Sequence, residues 1–145
     1  MDINILLNEL LVKLFRDINN IEERAIQTEG FKGVTTNDMH VMEAIGVDGC
    51  KNMSTVAKGL AVTMGTLTIS VNSLVKKGFV QRERSEEDRR VVLVSLTELG
   101  KTAHEHHRKF HQQMIISMTK DLNSAEKEVL AKTLSNLNSF FLDYK

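Results

Sequence analysis

The chain has 145 residues, 41% of them hydrophobic and 26% charged, which is the composition of one ordinary globular domain and excludes a disordered chain or a collagen-like repeat. A single cysteine excludes an internal disulfide, and no window approaches the roughly 20 apolar residues that a membrane span requires. The 19 Lys and Arg balance 19 Asp and Glu, so the net charge does not mark a nucleic-acid-binding protein. We expect a protein of the reducing cytoplasm, without membrane contact.

The first predicted helix runs from Ile3 to about Glu29, where apolar residues recur every three or four positions. Their stripe is broader than a small neighbouring domain needs, so we expect part of it to face another subunit. Residues 1–33 are therefore predicted to be an N-terminal dimerisation helix.

A second predicted helix begins after a cap at Thr35 or Thr36 and ends at Gly46. The next stretch, residues 47–52, is polar and contains glycine, so it is predicted to be a loop. No strand is expected there.

Two further helices form a predicted helix-turn-helix. Ser54 is the expected cap of a short helix over 55–60, and Thr63 caps a longer helix that ends near Lys77, before Gly78. On the longer helix one face is apolar, and the opposite face has no acidic residue.

Two strand-like runs, 79–84 and 91–96, flank a polar connection and predict a hairpin. Helices beginning near Thr97 and Ser124 complete the chain. We predict a mainly α fold with a small two-stranded β wing: a winged helix-turn-helix flanked by long dimerisation helices. Its expected parts are the N-terminal dimerisation helix, a DNA-binding lobe over 34–100 and C-terminal dimerisation helices over 101–145, intertwined in one domain.

Summing the charge by segment explains the overall neutrality. Residues 1–50 carry a net charge of −5, residues 51–101 a net charge of +4, and residues 102–145 a net charge of +1. The basic segment coincides with the predicted helix-turn-helix and wing, so the electrostatic signature of a DNA-binding protein is local.

This pattern suits duplex DNA, because a helix fits the major groove and a protruding Arg fits a narrow minor groove. We expect groove contacts from Thr66, Thr68 and Asn72, and phosphate contacts from Lys76 and from the helix start at Thr63. The wing arginines are expected to contact DNA as well: Arg84, Arg89 and Arg90. The alternatives are an ordinary solvated helix face and a local Asp88–Arg90 salt bridge.

The run from Val62 to Gly100 resembles the MarR family of bacterial winged-helix regulators. The resemblance rests on Ser73–Val80, on Asp88-Arg89-Arg90 and on Leu96–Gly100, and it extends to the flanking helices. It implies a homodimer that binds a pseudo-palindromic operator in double-stranded DNA and regulates transcription. One departure is Ile69, where many members carry Arg.

Within that family the chain resembles the FabT-type repressors of fatty-acid biosynthesis genes, on the stretches 39–40, 45–46, 62–68, 84–92 and 107–114. The resemblance implies a repressor whose operator affinity rises when acyl carrier protein presents a long acyl chain. An apolar set is compatible with an acyl pocket, although plain core or dimer interface is the alternative: Leu14, Ile18, Met39, Met42, Phe110 and Met114.

A zinc-responsive repressor is the alternative function. Zinc-sensing members of the family use a Glu on the first helix, a His on the second and two His on the fifth, and the resemblance carries these positions to Glu22, His40, His107 and His111. His107 and His111 are four residues apart, so both imidazoles lie on one helical face. Without metal, the same groups would form a buried Glu–His cluster.

No phosphate-binding loop, catalytic triad or carboxylate pair stands out, so we do not expect an enzyme and expect no required cofactor. Cys50 lies beside Lys51, which would favour a reactive thiolate, but it is more simply incidental. A helical protein-interaction module whose wing contacts a partner protein is a second alternative.

Overall fold

The computed structural model describes residues 2–144, which form six helices and a small antiparallel sheet. The elements in chain order are α1 (Ile3–Thr28), α2 (Thr36–Ile45), β1 (Lys51–Asn52), α3 (Met53–Leu60), α4 (Met64–Lys77), β2 (Val80–Arg84), β3 (Val92–Leu96), α5 (Glu98–Thr119) and α6 (Ser124–Leu142). The mainly α winged-helix fold predicted from the sequence is confirmed.

The chain divides into two compact units. The first ends at Lys109 and contains α1 to β3 with the first half of α5, and the second begins at Phe110 and contains the rest of α5 with α6. The dimerisation roles of residues 1–33 and 101–145 stay predictions.

Capping side chains explain where α2 and α6 begin. Thr35 Oγ1 accepts from the Asp38 backbone N–H at 3.1 Å while the Asp38 carboxylate accepts from the Thr35 N–H at 3.0 Å. Asn123 and Glu126 make the same reciprocal pair at the start of α6. Each pair satisfies two backbone donors that a helix start otherwise leaves exposed.

The start of α3 differs from the sequence prediction. Asn52 caps the helix, its Oδ1 accepting from the Thr55 N–H at 2.7 Å, so the helix begins at Met53 rather than after Ser54. Ala61 then adopts a left-handed conformation, with φ 56°, at the end of α3. Thr63 caps α4 as predicted, and Gly78 ends α4 with φ 90°.

The predicted two-stranded wing has a third strand. β1 pairs with β3 through Lys51↔Val94 and Asn52↔Leu93, so the sheet order is β1-β3-β2. The prediction of a loop over 47–52 was wrong for Lys51 and Asn52, which form β1. A strand of two residues is too short to show the alternation of apolar and polar side chains from which a strand is predicted. Pairing with β1 supplies partners for backbone groups on the outer edge of β3.

The core of the first unit lies between α2, α3, α4 and the sheet. Its largest fully buried side chains include Met39, Met42, Ile45, Leu67 and Leu74. Gly100 is also buried, and a Cβ there would lie 2.1 Å from the Phe79 carbonyl oxygen. This close approach lets the start of α5 pack against the β2 end of the lobe.

Other apolar residues lie outside that core. Along α1, the large hydrophobic side chains from Ile3 to Ile21 are exposed. In the second unit no side chain among residues 110–144 is buried. Within residues 2–144, none of the helices is long and apolar enough to cross a membrane.

Candidate nucleic-acid interface

The outer face of α4 is set by the residues that the helix buries. Leu67, Val71 and Leu74 are almost fully buried in the core. At 100° per residue, the opposite face consists of positions 65, 69, 72 and 76. We call Gly65, Ile69, Asn72 and Lys76 the outer row of α4. The predicted contact residues Thr66, Thr68, Asn72 and Lys76 are all exposed.

All three predicted threonines already make hydrogen bonds within α4 or its cap. Thr63 Oγ1 accepts from the Thr66 N–H at 3.2 Å, and the Thr63 and Thr66 hydroxyl oxygens are 3.0 Å apart. Thr68 Oγ1 donates to the Met64 carbonyl at 2.7 Å. The Thr68 hydroxyl therefore has acceptor lone pairs and a methyl group to present to a base, but its proton is used.

Sequence reasoning missed Arg82, which reaches α4 from β2. One Arg82 guanidinium N–H donates to Asn72 Oδ1. Because the amide oxygen of Asn72 accepts this hydrogen bond, the Nδ2 hydrogens of Asn72 are the groups that remain to donate to a base. The only signal was topological: β2 follows α4 after a two-residue turn, which brings an exposed strand residue back beside the helix.

The wing arginines are held by the hairpin itself. Arg90 donates to both carboxylate oxygens of Asp88 at 3.0 Å, and this pair holds the pKa of the Asp88 carboxyl below its usual range. Arg84 donates to the backbone carbonyl of Arg89 at 2.9 Å. The Asp88–Arg90 salt bridge predicted as an alternative is present, and it fixes the direction of an exposed guanidinium. Arg89 is exposed at the hairpin.

A cleft joins α4 to the wing. Its volume is about 400 Å³, and Arg82 and Arg90 provide cationic groups beside methionine and valine side chains. The lining residues are Asn52, Met53, Ser54, Met64, Thr68, Arg82, Arg90, Val91 and Val92. The first turn of α3, the start of α4 and the wing thus border one concave, cationic surface.

A second cluster lies away from α4, around His107. The His107 Nε2 atom is 3.1 Å from Glu22 Oε1 and 2.6 Å from Glu43 Oε1. Glu22 and His107 are buried, whereas Glu43 is partly exposed. Three helices, α1, α2 and α5, therefore each place one ligand-type side chain at this point.

Of the predicted metal set, Glu22 and His107 lie together in the first unit, and His40 does not lie with them. His40 is exposed and borders a small pocket with Asn37, Thr66 and Ser70. His111 belongs to the second unit, where its ring makes an edge contact with Phe110. Glu43, one turn after His40 on α2, occupies the position beside His107 that the prediction gave to a histidine. Metal binding itself stays a prediction.

The predicted acyl-pocket residues fall into three environments. Met39 and Met42 are fully buried in the core of the first unit. Leu14 and Ile18 are exposed on α1. Phe110 and Met114 are half-buried in the second unit. The pocket stays a prediction, while the core alternative holds for the two methionines.

Cys50 does not have the environment of an activated thiol. Its Sγ lies 3.2 Å from Glu83 Oε1, and the hydrogen bond to this carboxylate raises the pKa of the thiol. A raised pKa lowers the thiolate fraction at neutral pH. The effect is opposite to the activation that the neighbouring Lys51 would give.

Comparison with known proteins shows which family of regulators has this sequence pattern and fold. The family model described as "Transcriptional regulator SarA/Rot" matches residues 30–107. The multiple antibiotic resistance protein MarR of Salmonella typhimurium is 30% identical over 105 residues, which is 72% of this chain and 73% of that protein.

Two solved structures with DNA have the same fold. The Streptococcus pneumoniae FabT structure in complex with DNA is 38% identical, covers 96% of this chain and 97% of its own, and superposes with a TM-score of 0.86. The structure of a mutant E. coli MarR with operator DNA is 27% identical, covers 92% of this chain and 94% of its own, and has a TM-score of 0.68. Together with the exposed face of α4 and the wing, these similarities show that the chain belongs to the MarR family of DNA-binding winged-helix transcriptional regulators.

Proposed function

We propose that this regulator is a homodimeric repressor of fatty-acid biosynthesis genes and that long-chain acyl-acyl carrier protein raises its affinity for the operator. The observation that carries the proposal is the similarity to FabT, which extends over nearly the whole of both chains. The stretches of α4 and the wing that resemble FabT-type repressors in sequence lie within this region of similar fold.

Exposed apolar helices support the homodimer. Leu10, Leu11 and Leu14 are each more than two fifths exposed on α1, and Phe140 and Phe141 are about half exposed on α6. A monomer would leave these side chains in water, at a cost of about 25 cal/mol per Å² of apolar surface. A second copy that covers them would also place two copies of α4 on one operator, about 34 Å apart.

An acyl chain can act as effector only if it binds one conformer of the dimer better than another. Each methylene that is buried in the DNA-competent conformer and exposed in the other contributes about 0.8 kcal/mol. Five such methylenes, at chain positions that only a long acyl group reaches, would favour that conformer by about 4 kcal/mol, so a long chain has ample energy for the shift and a short chain does not.

The test is a gel-shift titration with an operator selected from a random duplex library. Palmitoyl-acyl carrier protein is compared with octanoyl-acyl carrier protein and with carrier protein that has no acyl group. We expect the palmitoyl form to tighten operator binding at least about tenfold, and the two controls to have little effect. Equal binding with all three carrier proteins would contradict the proposal without affecting DNA binding itself.

The cluster around His107 favours zinc as a second candidate effector. One imidazole nitrogen and two carboxylate oxygens, from Glu22 and Glu43, form a donor set that zinc accepts. A zinc ion bound there would add a link between α1, α2 and α5. In this arrangement Glu43, and not His40, is the ligand from α2.

Metal analysis of the purified protein tests this candidate. We expect about one zinc per chain after dialysis against micromolar free zinc, and loss of that zinc in His107→Ala and Glu43→Gln. His40→Ala, on the same helix, is the matched control and keeps the metal. Protein that retains no zinc, with an unchanged melting temperature when zinc is added, would exclude the candidate.

DNA is favoured over a partner protein as the ligand of the wing, because relatives with this fold are solved on DNA. Duplex binding should weaken steeply as salt rises, since each phosphate contact releases counterions. Binding that is insensitive to salt would instead favour the protein-interaction module.

A further inference from the structure

Ile69 lies in the middle of the outer row of α4. Its side chain is 73% exposed, more than any other large hydrophobic side chain described between residues 34 and 100. A single exposed isoleucine is common on protein surfaces. This one is notable for its place, because it lies on the face opposite Leu67, Val71 and Leu74, which face the core.

The surroundings of Ile69 exclude an ordinary apolar contact surface. Gly65, one turn earlier, has no side chain to shield it, and a Cβ there would meet nothing closer than 4.0 Å. Asn72 and Lys76, the later members of the outer row, are polar and exposed. Ile69 is therefore an isolated apolar group on a polar face, not part of a patch large enough to bind a partner protein.

The chemistry of the major groove supplies one matching group. Base edges in the groove present hydrogen-bond donors and acceptors, and the only apolar group among them is the C5-methyl of thymine. An isoleucine placed against other edges would remove water from polar atoms without replacing their hydrogen bonds, which is unfavourable. A β-branched side chain on a helix also has a nearly fixed χ1, so little conformational entropy is lost on contact.

We propose that Ile69 is a specificity-determining residue that contacts the C5-methyl of a thymine in the major groove. The proposal rests on DNA reading by α4 and is independent of the effector. It implies that each half-site of the operator has an A·T pair where the outer row of α4 meets the base edges. It also assigns selectivity at this position to exclusion of water rather than to a hydrogen bond.

Replacement of thymine by deoxyuridine tests the contact, because it removes only the methyl group. The full-length protein first selects an operator from a random duplex library, and each thymine is then replaced singly. We expect the wild type to lose affinity about fourfold at one symmetric position, the effect of one buried methyl. Ile69→Ala should bind the thymine and deoxyuridine operators equally.

Val62→Ala is the matched control, since Val62 is also exposed but lies before α4 and outside its outer row. This variant should keep the full sensitivity to deoxyuridine. The proposal is overturned if no deoxyuridine substitution weakens the wild type, or if Ile69→Ala is weakened as much as the wild type. Failure to select any sequence would overturn it too, by removing the DNA reading on which it rests.

Discussion

The DNA-binding lobe and the long helices of this regulator differ in how far their apolar side chains are buried. In the lobe, side chains such as Met42, Leu67 and Val94 are fully buried within the first unit. On α1 and in the second unit, leucines and phenylalanines remain exposed. The lobe has its own core, whereas the helices carry apolar surface that a second copy would cover in the proposed homodimer.

The largest expected effect comes from breaking the lobe at Gly100. In Gly100→Ala the new Cβ would meet the Phe79 carbonyl oxygen at 2.1 Å, and backbone atoms there cannot easily move away. We expect the free energy of unfolding to fall by about 3 kcal/mol or more, measured by urea titration. Gly59→Ala is the control, because nothing lies within 4 Å of its added Cβ. Its helical position should make it neutral or stabilising by up to about 1 kcal/mol.

The apolar face of α1 offers the second test, directed at the helices. We expect Leu14→Asp to raise the dimer dissociation constant at least about hundredfold, because a charge would replace a leucine buried by the second copy. Sedimentation velocity measures the change. Val12→Asp lies on the opposite side of α1 and should change it little. Equal effects of the two substitutions would show that the face of α1 does not decide association.

Arg82 links the wing to the reading helix and should have a moderate effect. Loss of its hydrogen bond in Arg82→Ala frees the Asn72 amide to rotate, so we expect operator affinity to fall about tenfold and base preference to broaden. Gln81→Ala, on the same strand, is the control. A double-mutant cycle with Asn72→Ala separates positioning from charge: independent effects would mean that Arg82 acts only as a cation.

A smaller change is expected at Ala61, which follows the last residue of α3 and has a positive φ. Glycine adopts φ 56° without the steric cost that a Cβ carries, so Ala61→Gly should stabilise the lobe by about 0.5–1 kcal/mol. Thermal unfolding would show the increase. A lower melting temperature would mean that the added freedom of the unfolded chain outweighs the relief.

The smallest effect concerns Cys50. Because Glu83 raises the pKa of its thiol, little thiolate is present at pH 7 and alkylation by iodoacetamide should be slow. Glu83→Gln removes the negative charge, so the pKa falls and the rate at pH 7 rises, while well above the thiol pKa the two proteins react alike. An unchanged rate at pH 7 would contradict the assigned cause.

The elements of the lobe could be predicted because their signals are local. Thr63 and Gly78 mark the ends of α4, and the apolar spacing of Leu67, Val71 and Leu74 defines its buried face. β1 could not be predicted, since a strand of two residues exists only through its partner β3. The resemblance to zinc-sensing members of the family selected His40 as a ligand, whereas tertiary packing places Glu43 beside His107.

The interface itself was predicted in part. The exposed polar side chains of α4 and the Asp88–Arg90 pair follow from helical periodicity and from a two-residue separation in a turn. Arg82 was missed, because its contact with Asn72 depends on how β2 returns past α4. Helical periodicity places Ile69 on the outer face of α4, where it is 73% exposed, and the thymine contact proposed for it was not predicted.

The most direct test of the division between reading lobe and dimerising helices is the stoichiometry of the protein on its selected operator, measured by light scattering after size exclusion. We expect two chains on one duplex with two half-sites one helical turn apart, and loss of this complex in Leu14→Asp under conditions where the lobe stays folded. A single chain that binds one half-site with full affinity, unaffected by Leu14→Asp, would contradict it.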